Sequence, residues 1–130
     1  MTHRSLVVLV VDDNPINLEL VKVVLEAAGH VVRQAGSGSG ALAAVRQETP
    51  DLVLTDIGLP GMDGYGLLEA LRTDPANSMI PVVALTAYAM DGDEQRARAA
   101  GFDGYFTKPI NTRTFAGEVV EVIAAREAGS

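Results

Sequence analysis

Short apolar runs alternate with longer segments of mixed polarity five times along this chain. Leu6–Val11 (LVVLVV), Val31–Gln34 (VVRQ), Leu52–Thr55 (LVLT), Pro81–Leu85 (PVVAL) and Tyr105–Thr107 (YFT) read as strands. They carry the β-branched, aromatic and aliphatic residues that suit a pleated sheet. The segments between them read as helices over Pro15–Ala28, Ser39–Glu48, Gly64–Thr73, Asp91–Ala100 and Thr112–Arg126. Asn14 and Asp63 are placed to cap two of these, Pro15 suits a first turn, and Gly29 and Gly101 suit helix ends. Gly36-Ser37-Gly38-Ser39-Gly40 reads as a connection into a helix; no Gly-Lys-Ser/Thr follows it, as a phosphate loop requires.

Strict alternation of strand and helix implies a parallel sheet with right-handed crossovers and helices on both faces. Central strands of such a sheet are continuous apolar runs. LVVLVV, LVL and VVAL meet that description; VVRQ does not and belongs at an edge. The predicted fold is therefore α/β, a flavodoxin-like (βα)5 three-layer sandwich with strand order 2-1-3-4-5. The carboxyl ends of its first and third strands lie side by side at a topological switch point, where open α/β sheets bind ligands.

The residues at those ends carry the chemistry. The first strand runs into Asp12 and Asp13, the third into Asp56, the fourth into Thr86 and the fifth into Lys108, directly before Pro109. An isolated acid after a strand usually caps a turn, and an isolated lysine is usually solvated. Three acids, a hydroxyl and an ammonium at successive strand ends are a different matter. Adjacent carboxylates repel one another and repel phosphate unless a cation sits between them. Mg²⁺ takes one or two carboxylates, waters and phosphate oxygens in an octahedral shell. Asp56 then stands as a nucleophile toward phosphorus, with Lys108 and Thr86 placed to balance charge on the phosphoryl oxygens.

Bulk properties narrow the field. The 130 residues suit one domain, 1–130, and 48% apolar content can fill its core. The net charge of −7, ten scattered Lys and Arg, and few aromatics argue against direct nucleic-acid binding. No apolar run reaches membrane-spanning length and no secretory signal pattern appears. The absence of cysteine rules out disulfides, thiolate metal sites and a Cys nucleophile, and fits a cytoplasmic protein. A flavodoxin-type cofactor carrier needs a phosphate-binding turn where this chain has DDNP; a haloacid-dehalogenase-type phosphatase needs Asp-x-Asp there.

The motifs Asp12-Asp13, TDIGLPGMDG around Asp56, ALTA around Thr86 and GYFTKPI around Lys108 together resemble a response-regulator receiver domain of two-component signalling. The likeness covers residues 6 to about 125 and extends to single-domain regulators and to receivers of hybrid histidine kinases. It implies that Asp56 takes a phosphoryl group from the phosphohistidine of a histidine kinase or phosphotransfer protein. It implies that Asp13, Asp56 and the Gly58 backbone carbonyl ligate Mg²⁺, or Mn²⁺ in its place, with Asp12 acting through water. Lys108 would contact the phosphate, Thr86 and Tyr105 would form a switch pair, and the Lys108-Pro109 bond would be cis. The function implied is a switch that promotes its own phosphorylation and dephosphorylation and then regulates a protein target, rather than an enzyme. The changed surface would lie on the fourth helix, last strand and last helix. A pure interaction module of this fold would have lost an acid or the lysine, and none is lost.

Two further expectations concern the first helix and the acyl phosphate. Glu19, Lys22 and Glu26 leave an apolar arc of roughly 220° on that helix, wider than burial against one sheet needs. Asn14, Ile16, Asn17 and Leu20, bordered by Pro109, are the expected docking face for a partner helix. Gly58 and bulky Tyr88 stand two residues beyond Asp56 and Thr86, and are expected to keep water from the acyl phosphate and lengthen its life.

Overall fold

The computed structural model describes residues 5–87 and 90–129. Its elements run β1 (Val7–Val11), α1 (Pro15–Ala27), β2 (Val31–Ala35), α2 (Gly38–Gln47), β3 (Leu52–Thr55), α3 (Gly64–Thr73), β4 (Val82–Thr86), α4 (Asp93–Ala100), β5 (Gly104–Thr107) and α5 (Phe115–Gly129). The sheet has the order β2-β1-β3-β4-β5, and every pairing is parallel. This is the expected architecture, with VVRQ in the edge strand β2.

The period-two alternation of strands divides the core between two faces. Leu9, Val11, Val53, Val82 and Ala84 point toward α2, α3 and α4, meeting Ala41, Val45, Leu67, Leu71 and Ala97. Val8, Val10, Leu52, Leu54, Val83 and Leu85 point the other way, onto Val21 and Leu25 of α1 and Phe115, Val119 and Ile123 of α5. Apart from the closing Thr55 and Thr86, the central strands β1, β3 and β4 are apolar, as cover on both sides requires.

Local side-chain bonds set the helix starts. Asn14 caps α1 by accepting the Ile16 and Asn17 amides, Ser37 caps α2 through the Gly40 amide, and Asp63 caps α3 through the Gly66 amide. Three helix starts differ from the sequence reading, and several other element ends shift by one to three residues. Helix α2 begins one residue earlier, at Gly38, because Ser37 takes the cap. Helix α4 begins at Asp93, not Asp91, because Gly92 adopts φ 88° and Asp93 instead closes a turn with the Met90 amide. Helix α5 begins at Phe115, not Thr112, because Asn111 accepts the Arg113 amide through its side chain and the Phe115 amide through its carbonyl.

At the amino-terminal edge of the sheet, Asp103, just before β5, joins three elements. Its Oδ2 accepts from Arg72 Nη2 of α3 at 3.0 Å and from the Val82 amide of β4 at 2.9 Å, while its Oδ1 pairs with Arg126 of α5. Arg72 also donates to the Ile80 carbonyl at 2.7 Å. Burial pulls the Arg72 pKa below its ordinary value, and the Asp103 carboxylate opposes that shift without cancelling it. Among the described residues no helix is long and apolar enough to cross a membrane.

Candidate functional site

The carboxyl ends of β1, β3, β4 and β5 bring together the residues singled out in the sequence. Asp12 follows β1 and is held there by its amide, which donates to the Ala35 carbonyl at 3.1 Å. It is almost wholly buried, at 3% exposure. Its Oδ1 accepts the Asn14 amide at 2.9 Å, so Asp12 shapes the entrance to α1 while its Oδ2 faces the site. Asp13 is exposed beside it. Asp56 follows β3, and its amide donates to the Val11 carbonyl at 2.9 Å, which ties the two strand ends together.

Lys108 completes the cluster from across the sheet. Its backbone amide donates to the Thr86 carbonyl at 2.9 Å, and the Lys108-Pro109 bond is cis, as the resemblance implied. Its Nζ lies 2.7 Å from Asp12 Oδ2 and 2.7 Å from Asp56 Oδ2. Burial by itself would lower the pKa of this lysine. The hydrogen bonds to Asp12 and Asp56 outweigh it, so the net shift is upward and the ammonium persists. Thr86 ends β4, buried.

The donor set fits a hard divalent cation. Asp12, Asp13 and Asp56 each offer a carboxylate oxygen, all within 4.8 Å of one another. An octahedral ion with bonds of about 2.1 Å sets opposite oxygens about 4.2 Å apart, so small side-chain motions close the shell. The acidic pocket is thus able to hold Mg²⁺ or Mn²⁺. The Gly58 amide donates to Asp56 Oδ1 at 3.0 Å, which fixes the loop after the acid.

Tyr105, on β5, is partly buried against the core cluster on the α2–α4 side. Partial burial, then Asp93, Tyr65 and Glu94, raise its phenol pKa, so it stays a neutral hydroxyl. Tyr88 lies outside the described residues, so of the pair expected to govern water only Gly58 is placed.

Two apolar residues of the expected docking face, Ile16 and Leu20, are exposed, at 77% and 41%. An open pocket of about 370 Å³ runs between Asn17 and Leu20 of α1 and Lys108, Pro109 and Ile110 after β5. Asn14 is exposed beside this surface, with its side chain capping α1 as expected. Sequence reasoning missed Thr55, whose hydroxyl donates to the Asp56 carbonyl at 2.9 Å; a threonine closing an apolar run was the available signal.

Comparisons with known proteins agree with this geometry. The chain is 44% identical over 124 residues to the sensor protein GacS of Pseudomonas syringae pv. syringae, covering 93% of this chain but 14% of that protein. It is 41% identical over 108 residues to the polar-differentiation response regulator DivK of Brucella ovis, covering 83% of this chain and 88% of that one. Among solved structures, the chemotaxis response regulator CheY4 of Vibrio cholerae superposes with TM-score 0.84 at 28% identity, over 92% of this chain and 99% of that one. A CheY-like response regulator receiver domain protein from Methanospirillum hungatei gives TM-score 0.84 at 30% identity, over 98% and 100%. The family model of the response regulator receiver domain matches residues 8–119, the span from β1 into α5 that holds every strand end described above. With that span matched and the acids and lysine of the site all in place, the chain belongs to the response regulator receiver domains of two-component signalling.

Proposed function

We propose that Asp56 accepts a phosphoryl group from the phosphohistidine of a histidine kinase or histidine phosphotransfer protein. The observation that carries this reading is the single ammonium of Lys108 bridging Asp56 and Asp12 at the strand ends. An oxygen of Asp56 forms a bond to phosphorus as the phosphorus–nitrogen bond breaks, and that electron pair stays on the imidazole. Lys108 then moves its hydrogen bond from the carboxylate to a phosphoryl oxygen, where developing charge needs it. Asp13, Asp56 and the Gly58 carbonyl would hold a divalent cation, with Asp12 acting through water, and the ion would supply positive charge to the phosphoryl oxygens. The role is that of a switch, not of an enzyme with a separate substrate. The partner helix lies on Ile16, Asn17 and Leu20 beside Pro109, with Asn14 at its border.

Residues 1–130 act as one receiver domain, and the compartment is the cytoplasm. Intact mass and peptide mapping after incubation with acetyl phosphate and Mg²⁺ test the acceptor. One acid-stable, base-labile phosphoryl group on the Asp56 peptide is expected, and none on Asp56→Asn. Full labelling of that variant overturns the proposal.

Thr86 and Tyr105 are the readout. A phosphoryl oxygen attracts the Thr86 hydroxyl, and Tyr105 turns into the space this frees, biasing a two-state equilibrium of α4, β5 and α5. Amide spectra with beryllofluoride and Mg²⁺ should shift across α4 and β5 in the parent. In Thr86→Ala the shift should shrink although Asp56 is still occupied. Equal shifts in both proteins would assign no part to Thr86.

A further inference from the structure

Asp56 is held at every polar atom. Its amide donates to Val11, its carbonyl accepts the Thr55 hydroxyl, and its carboxylate oxygens take the Gly58 amide and the Lys108 ammonium. One further contact is steric. Gly64, the first residue of α3, lies against the peptide joining Asp56 and Ile57, and its amide donates to the Ile57 carbonyl at 2.9 Å. A Cβ built on Gly64 would sit 2.7 Å from the Asp56 carbonyl oxygen and 2.7 Å from Ile57 Cα. Both are backbone atoms, so no rotamer change relieves the overlap.

Backbone conformation does not explain this glycine. The described glycines with positive φ are Gly29, Gly61, Gly92 and Gly101, and Gly64 is not among them. Helix propensity does not ask for it either, since alanine is the better helix former. What the position requires is the missing side chain.

An added methyl group must displace either α3 or the Asp56–Ile57 peptide. Helix α3 is anchored by Leu67, Leu68 and Leu71, all at most 2% exposed. The loop is the lighter partner, and it carries both the Asp56 carboxylate and the Gly58 carbonyl. We infer that Gly64 is a positioning residue for phosphoryl transfer: by letting α3 seat directly on the Asp56–Ile57 peptide, it sets where the acceptor carboxylate and the metal-binding carbonyl point. The inference rests on Asp56 being the acceptor.

Gly64→Ala tests it, with Gly104→Ala as the matched control. Gly104 is also buried and crowded, but its added Cβ meets side-chain ends, Val122 Cγ2 at 3.0 Å and Val83 Cγ2 at 3.4 Å, at the opposite edge of the sheet. The measurements are the phosphorylation rate at saturating acetyl phosphate, the donor concentration for half-maximal rate, Mg²⁺ affinity by NMR titration, and Tm. Misplacement by a fraction of an ångström to 1 Å costs up to about 100-fold in rate. Gly64→Ala should lose about 10-fold to 100-fold in maximal rate and bind Mg²⁺ several-fold more weakly, with little change in half-saturation. Gly104→Ala should lose thermal stability and keep both the rate and the metal affinity. If Gly64→Ala labels as fast as the parent, or is unfolded where Gly104→Ala folds, Gly64 serves stability alone and the inference is overturned. An unlabelled parent would overturn the acceptor reading, and this inference with it.

Discussion

Replacing Lys108 by methionine is expected to slow phosphorylation of Asp56 by about 100-fold to 1000-fold while tightening the grip on Mg²⁺. Removing one preorganised donor from a developing oxyanion costs about that much. The opposite sign for the metal follows from geometry. In the structure Nζ is the counter-ion of both Asp12 and Asp56, at 2.7 Å from each. Methionine keeps the apolar length of the stem but removes the charge, so the two acids face each other uncompensated. A divalent cation then relieves more repulsion than it does in the parent. Phosphorylation kinetics and a Mg²⁺ titration on one preparation test both signs; weaker metal binding in the variant would mean that Lys108 organises the pocket instead of competing for it. The pKa of Lys108 is raised above its ordinary 10.5. Its contribution to folding is therefore complete below that value and is lost as pH climbs through the higher, folded-state pKa.

Asp103→Ala is expected to cost about 3 kcal/mol of folding stability and to leave the phosphorylation rate intact. The change strips the carboxylate from Arg72, which keeps only carbonyl acceptors such as Ile80, and from Arg126, and it removes the acceptor of the Val82 amide. Breaking a buried ion pair from one side costs about 3–5 kcal/mol, because the remaining charge is left desolvated. The lower end applies here, since the side chains of Arg72 and Arg126 are 25% exposed and that of Asp103 is 19% exposed. Asp103→Asn keeps an acceptor and should cost less. Urea unfolding of the three proteins measures the order, and a loss below about 1 kcal/mol for alanine would show that solvent already screens the cluster.

What could be read in the sequence was what depends on pattern. The apolar runs of β1, β3 and β4 and the polar break in VVRQ fixed strand order, because two-sided burial tolerates little polarity. Strand order in turn gathered Asp12, Asp13, Asp56, Thr86 and Lys108 at one edge. Contacts that depend on register and close approach were hidden. Nothing in the run GMDGYG says that Gly64 rather than Gly61 or Gly66 presses on the Asp56–Ile57 peptide. Nothing in FTKPI says that Lys108 divides its hydrogen bonds between Asp12 and Asp56. Helix starts moved for the same reason, through the positive φ of Gly92 and the side-chain bond of Asn111. The wide apolar arc on α1 was visible, but not which part stays in water: Val23 is 54% exposed while Val21 and Leu25 are buried.

The span of Lys108's two ion pairs bears on how the chain folds. Asp12 and Lys108 stand 96 positions apart, and Asp56 and Lys108 stand 52 apart. Asp12 and Asp56 become neighbours as soon as β1 and β3 pair, and from then on their repulsion opposes compaction. Strand β5 has only β4 beside it and supplies two partly buried aromatic residues. It also arrives carrying the missing counter-ion. Non-local pairings of this kind form late, after the entropy of closing long loops has been spent. A molecule with β5 undocked lacks the Lys108 ammonium beside Asp12 and Asp56, so, with Asp56 as the proposed acceptor, incompletely folded copies are expected to take up phosphate poorly.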